Sequence, residues 1–297
     1  MEYSGGDSLA SADVLPVRAK KPRLDFTLTS ISMNISIIGA GNMGSAIARG
    51  LAQKAEAAGY SLTVSNPTAA KLTALQADCP HLKVTADNRI AAQNADLVIL
   101  AVKPWKIQEV LVEIQPELDW HRQSIASLAA GISLEQLGTW LTLSYTNTLP
   151  PLYRVIPNTA AAVQQSMTFI SSAHSTPEQD TRVLTVFRAL GEAVLVEENK
   201  LAACTALASC GIAYVLRFIR AAMAGGVELG LSTGEARDYM LQTLQGTIDL
   251  LRTSGHHPEE EIDRVTTPGG LTIRGLNTME AYGFSRSVIQ GLKASVR

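Results

Sequence analysis

Cysteine, aromatic residues and unbalanced charge are all scarce in this 297-residue chain. The three cysteines, Cys79, Cys204 and Cys210, have a spacing that suits neither a disulfide framework, a redox pair nor zinc ligation. They read as small buried hydrophobes in a reducing, cytoplasmic setting. Aromatics make up 5% of residues, too few for a base-stacking platform. Charged residues make up 18%, with 25 basic against 27 acidic, so no basic excess points to nucleic acid. The five histidines, His81, His121, His174, His256 and His257, show no ligand spacing, and no metal site is expected.

Long apolar runs are missing as well. The longest, Leu201–Leu216, meets Arg217 and Arg220 before it reaches the ~20 residues of a membrane span. It reads as a helix buried within a domain or between subunits, with no membrane partner. The N-terminus has Ser4-Gly5-Gly6-Asp7 where a secretory signal would have a basic and then an apolar region. Residues 1–32, polar and then basic at Lys20-Lys21-Pro22-Arg23, read as a loose extension.

What is present is alternation. From Met33, short apolar runs alternate with amphipathic stretches. Strands are expected at Ile35–Ile38, Leu62–Ser65, Lys83–Thr85, Leu97–Val102, Ser124–Ala129, Met167–Ile170 and Ala193–Val196. Helices are expected between them, at Asn42–Ala58, Ala69–Ala77, Ile107–Ile114 and from Thr176 onward. Such alternation predicts parallel strands with crossover helices, a doubly wound α/β sheet over residues 33–199. Strand signals then stop. Helices are expected at Leu201–Gly230, Thr233–Arg252 and Leu271–Ala294, so residues 200–297 form an all-α domain.

Gly39-Ala40-Gly41-Asn42-Met43-Gly44 is a G-x-G-x-x-G set between a strand and a helix, the context a dinucleotide site requires. Gly39 serves the tight turn, Gly41 the approach of the pyrophosphate and Gly44 the packing of helix on sheet. The second strand ends at Ser65-Asn66-Pro67-Thr68, and no acid lies between Gly59 and Ala77. Without an acid for the ribose 2′-hydroxyl, Ser65, Asn66 and Thr68, with Lys71 near, suit a 2′-phosphate, so NADPH is expected over NADH.

Four motifs then occur in order: the glycine loop, Ala101-Val102-Lys103-Pro104, Arg154-Val155-Ile156-Pro157-Asn158-Thr159 and Pro268-Gly269-Gly270-Leu271-Thr272. Together they resemble the pyrroline-5-carboxylate reductases, from about Met33 to the C-terminus. The resemblance implies a Rossmann-type domain followed by a helical dimerisation domain, with active sites shared between subunits. It implies NADPH-dependent reduction of a small cyclic imine acid to proline. It places Gly39, Gly41, Asn42, Met43, Gly44, Val102, Lys103, Pro104 and Asn158 at the cofactor. It sets Thr205 at the substrate ring nitrogen, and Thr267, Gly269, Gly270 and Thr272 at the carboxylate. Ile212 and Leu271 depart from the family pattern, and Thr139–Leu152 is longer than it.

Read without the family, Thr205 bonds back to its own helix, and Pro268-Gly269-Gly270 is a helix-starting turn suited to an anion. A β-hydroxyacid dehydrogenase shares this architecture but needs a catalytic lysine on the first long helix, and no lysine lies between Leu201 and Leu292. Other cyclic-imine reductases, and a non-catalytic NADP-binding regulator on the same scaffold, remain as alternatives.

Overall fold

The computed structural model describes residues 32–141 and 149–296. The extension 1–32 therefore falls, Ser32 apart, outside the described residues, as does the middle of Thr139–Leu152.

Eight strands form one sheet: β1 Met33–Ile38, β2 Tyr60–Ser65, β3 Lys83–Thr85, β4 Leu97–Leu100, β5 Ser124–Ser127, β6 Leu152–Ile156, β7 Ser166–Ala173 and β8 Gly191–Leu195. Their order is β3-β2-β1-β4-β5-β6-β7-β8. The first six follow the 3-2-1-4-5-6 order of a doubly wound dinucleotide fold, with its switch point between β1 and β4. Seven helices cover this sheet: α1 Asn42–Ala52, α2 Ala55–Ala58, α3 Ala69–Asp78, α4 Asn88–Gln93, α5 Ile107–Ile114, α6 Leu134–Leu141 and α7 Pro177–Arg188. The two faces of the sheet bury separate cores, one around Ile35, Ile47, Leu51 and Phe187, the other around Val98, Ile107, Leu111 and Leu137.

One pairing departs from the parallel expectation: β6 and β7 are antiparallel. Only residues 157–165 join them, and a parallel pair needs a crossover of about a dozen residues or more. β6 itself lacks a clean apolar signature because Arg154 interrupts it. The guanidinium donates to Glu198 Oε1 at 2.7 Å, and the same oxygen accepts the Leu134 N–H at the start of α6 at 2.8 Å. One ion pair thus ties β6, α6 and the segment entering the helical half.

That half comprises α8 Leu201–Cys204, a wide π-helical turn at Thr205–Cys210, α9 Gly211–Glu228, α10 Thr233–Ser254, α11 Pro258–Val265, α12 Leu271–Ala281 and α13 Phe284–Ala294. The single helix expected over Leu271–Ala294 is broken at Gly283, whose φ of +79° is left-handed. The chain separates into two compact units: Phe218–Phe284 form one, and the other described residues form the second.

Within Phe218–Phe284, Ala236 is the only buried residue among those described. Leu229, Leu271 and Tyr282 are 87%, 85% and 90% exposed. The stretch Glu198–Glu228, with mean hydropathy 1.7, is long and apolar enough by length and composition to cross a membrane, and 11% of its apolar window is buried.

Gly50 measures how closely α1 packs. A Cβ there would lie 2.3 Å from the Ala161 carbonyl oxygen and 2.5 Å from a Leu190 methyl. Alanine in a helix interior gains about 1 kcal/mol of propensity over glycine, whereas overpacking costs about 1–3 kcal/mol. The nearer obstacle is backbone, which yields least. Gly50→Ala is expected to lower the thermal midpoint; an unchanged or raised midpoint would show that α1 can shift outward.

Candidate active site

The glycine loop leaves β1 at the switch point. Ala101 N–H donates to the Ile38 carbonyl at 2.8 Å, so the exits of β4 and β1 are held together. Gly39 has φ +109°, and a Cβ there would lie 2.8 Å from the Ala101 carbonyl oxygen. A Cβ on Gly44 would lie 1.9 Å from the Gly39 carbonyl oxygen, so only glycine lets α1 pack this close.

Gly41 is different. It has an ordinary φ of −79° and caps α1 with no side-chain bond. A Cβ there would meet nothing within 4 Å. Packing explains two of the glycines; the third faces open space at a helix start whose first N–H groups have no side-chain acceptor among the described residues. This suits a phosphate, which gains from both those donors and the helix dipole. Asn42 and Met43 form the first turn of α1. Val102 lies against Gly39 across the crevice, Lys103 is exposed beside it, and Pro104 opens a short 3-10 turn.

At the end of β2 two of the expected site side chains are engaged within the protein. Ser65 is fully buried, and its hydroxyl donates to Asn88 Oδ1 at 2.7 Å. Asn88 in turn donates to Glu113 Oε2 at 2.8 Å. Asn66 is buried too, and its Oδ1 accepts the Ala40 N–H at 3.1 Å. Asn66 braces the glycine loop from behind, and the Ser65 hydroxyl is held by Asn88. Thr68 and Lys71 are exposed there, and Thr68 caps α3 without a side-chain bond. These two residues carry what remains of the 2′-phosphate expectation.

Asn158 is engaged in the same way. Its Oδ1 accepts the Ala160 N–H at 3.1 Å, and its Nδ2 donates to the Ala208 carbonyl at 3.4 Å. A residue expected at the cofactor has both ends of its carboxamide engaged inside the protein.

Thr205 opens the π-helical turn, and its hydroxyl donates to the Leu201 carbonyl at 2.6 Å. The back-bond read from its helical context is therefore present. Donation occupies the proton and leaves the oxygen lone pairs able to accept.

In the other unit, Gly269 has φ +71° and Gly270 caps α12 with no side-chain bond. The Gly270 N–H donates to the Thr267 carbonyl at 2.9 Å, closing the turn, with Thr267 and Thr272 exposed on either side. α11 precedes this loop, held by a contact the sequence reading missed. Glu261 bonds His256 Nδ1 at 2.7 Å and pairs with Arg264 at 3.2 Å. Among the described residues, no group of three or more metal-binding side chains occurs.

Comparison with known proteins places this geometry. Residues 198–297 match the family model described as pyrroline-5-carboxylate reductase dimerisation, and residues 34–131 the one described as NADP oxidoreductase coenzyme F420-dependent. The chain is 33% identical over 275 residues to pyrroline-5-carboxylate reductase 2 of Dictyostelium discoideum, covering 88% of this chain and 90% of that protein. The chain belongs to the pyrroline-5-carboxylate reductase family. Crystal structures of the 1-pyrroline-5-carboxylate reductase of Streptococcus pyogenes superpose with a TM-score of 0.78 at 32% identity, covering 89% of this chain and 96% of that one. The pyrroline carboxylate reductase of Plasmodium falciparum, crystallised with NADP bound, gives 0.77 at 25% identity, covering 89% and 95%. As a reductase of this family, the chain carries its glycine loop in the N-terminal match and Thr205 and the Gly269-Gly270 loop in the C-terminal one.

The Glu261 contact carries a pH signature. The hydrogen bond to His256 holds the Glu261 carboxyl below its ordinary value, against a smaller opposing effect of desolvation. A carboxyl lowered on folding adds stability above its unfolded pKa, and loses it as pH falls through the lower folded value. The thermal midpoint of Glu261→Gln should therefore lie below wild type at neutral pH and converge with it below about pH 4. A gap that stays constant down to acid pH would show that the carboxylate contributes nothing through its charge.

Proposed function

We propose that this chain reduces 1-pyrroline-5-carboxylate to L-proline in the cytoplasm, using NADPH, the last step of proline biosynthesis. The observation that carries this reading is the 33% identity to a pyrroline-5-carboxylate reductase across 88% of the chain, spanning the α/β part and the helices together. Either part alone would serve many reactions. The open helix start at Gly41 supports a dinucleotide, and exposed Thr68 and Lys71 support its 2′-phosphate.

NADPH, when bound, supplies the hydride. The N–H groups at Gly41–Gly44 hold its pyrophosphate, and Val102, Lys103 and Pro104 flank its ribose. Thr267, Gly269, Gly270 and Thr272 receive the substrate carboxylate at the start of α12, where glycine admits the anion to the backbone. In a dimer whose active sites are shared between subunits, as the resemblance implies, Thr205 meets the ring nitrogen. Because its proton is committed to Leu201, its oxygen accepts the N–H of the protonated imine, and the proton stays on that nitrogen as the carbon receives hydride. The hydroxyl therefore orients the iminium and stabilises its N–H.

The purified protein should oxidise NADPH with pyrroline-5-carboxylate faster than with the six-membered homologue, faster than NADH, and should be inert toward a 3-hydroxy acid. Thr205→Val keeps the shape and deletes the acceptor. Loss of one buried hydrogen-bonding partner costs about 1–3 kcal/mol, or roughly 5- to 150-fold in kcat/KM. NADPH affinity, read by fluorescence titration, should hardly change. Undiminished imine reduction by Thr205→Val would remove it from the site.

A second copy of the chain supplies cover for the helices. With Ala236 the only buried residue described in Phe218–Phe284, the apolar faces of α9, α10 and α12 have no interior of their own. A homodimer with the obligate interface of more than ~2,000 Å² suits them, and the family resemblance implies that the subunits share active sites. Light scattering at micromolar concentration should give a dimer or an assembly of dimers; an active monomer there would overturn this assignment.

A further inference from the structure

The π-helical turn Thr205–Cys210 interrupts the helical stretch at the residue proposed to meet the substrate. π-turns inside α-helices are rare, weakly favoured and concentrated at functional sites. Among the described residues, one side chain from elsewhere in the sequence hydrogen-bonds its backbone: Asn158, whose Nδ2 donates to the Ala208 carbonyl at 3.4 Å.

Asn158 is built as a fixed support. Its own N–H donates to Ser166 Oγ at 3.1 Å, and Ser166 Oγ shares a hydrogen bond with Thr168 Oγ1, also at 3.1 Å. Its carbonyl accepts the Ala161 N–H at 3.1 Å, and its Oδ1 accepts the Ala160 N–H at 3.1 Å. Ser166 and Thr168 on β7 are buried, and Asn158 is 6% exposed. The partners also fix the amide's orientation, because the Ala160 N–H needs an acceptor and the Ala208 carbonyl a donor. The amide thus faces the helix from a residue whose backbone is bonded on both sides.

We infer that Asn158 is a positioning residue: it clamps the π-turn through the Ala208 carbonyl and thereby sets the direction in which Thr205 presents its oxygen. This rests on the reading of Thr205 given above. The chemistry explains why an amide stands here. A carboxylate would repel the Ala208 carbonyl, a hydroxyl would not reach it, and an apolar side chain would take away both the acceptor for the Ala160 N–H and the donor to the Ala208 carbonyl in a half-buried place.

Two variants separate the clamp from the cap. Asn158→Asp keeps the acceptor for Ala160 and the volume but removes the donor to Ala208. Asn158→Ser keeps a capping oxygen and loses the reach without adding charge. Both should lower kcat for imine reduction by about 5- to 100-fold, the order expected when a reacting group is misplaced by a fraction of an ångström to one. The NADPH dissociation constant should stay within about twofold by fluorescence titration, because the clamp touches the helix and not the cofactor. Amide hydrogen exchange across residues 205–213 should speed up in both variants while α1 and β4 stay protected.

A dissociation constant for NADPH that rises as much as kcat falls would overturn the clamp in favour of a direct cofactor contact. Unaltered exchange in 205–213 in whichever variant folds would overturn it outright. Exchange needs no turnover. A wild-type protein inactive on pyrroline-5-carboxylate would sink the proposed reaction, and the clamp would still be judged by exchange.

Discussion

The close approach of α1 to β1 is the constraint on which the α/β half depends. Gly44 leaves no room for a side chain between the helix and the Gly39 carbonyl, and Gly50, two turns on, leaves none before Ala161. With the helix pressed down at both points, its N-terminus is aimed at the gap between β1 and β4, where the strand order reverses. The loop is then held from behind by Asn66 on Ala40, and Ser65 is held by Asn88. Moving the helix outward by one side chain's width would misplace the donors at Gly41 and loosen these braces together.

How much of this was legible in the sequence depended on how local the signal was. The glycine loop, seven of the eight strands and the change to helices after Asn199 are patterns within about fifteen residues, and the structure reproduces them. The antiparallel β6–β7 pair turns on the length of a connection, and β6 hid behind Arg154, whose charge is neutralised by Glu198, distant in sequence. α4 had a start signal in Asp87, which accepts from the N–H groups of Arg89 and Ile90, and counting caps would have found it. The orientation of polar side chains was the least legible. Ser65, Asn66 and Asn158 were expected at the cofactor, but sequence cannot show which way an amide or hydroxyl turns. Each of them turns inward, because a backbone or side-chain group there would otherwise be left unpaired in the interior.

The helical half shows the opposite balance. Its apolar content marked it as buried, yet no spacing rule could say by what. In the structure its apolar faces stay largely open, and this supports a second chain as their cover. The anion loop at Gly269-Gly270 begins one of these helices, so whatever covers them also governs how rigidly that loop is held.

The wide turn at Thr205–Cys210 has an angular consequence. Each residue advances an α-helix by about 100°, so one extra residue in a regular helix would swing everything beyond it about a quarter-turn or more around the axis. A π-turn takes up the extra residue locally and leaves the helix beyond in phase. Here α9 can keep its apolar stripe where the rest of the helical half needs it, while the backbone around Thr205 is pushed out of the regular spiral. Shortening this segment by one residue would leave a smoother helix with its stripe still in register, and with Thr205 turned away from the direction it now faces.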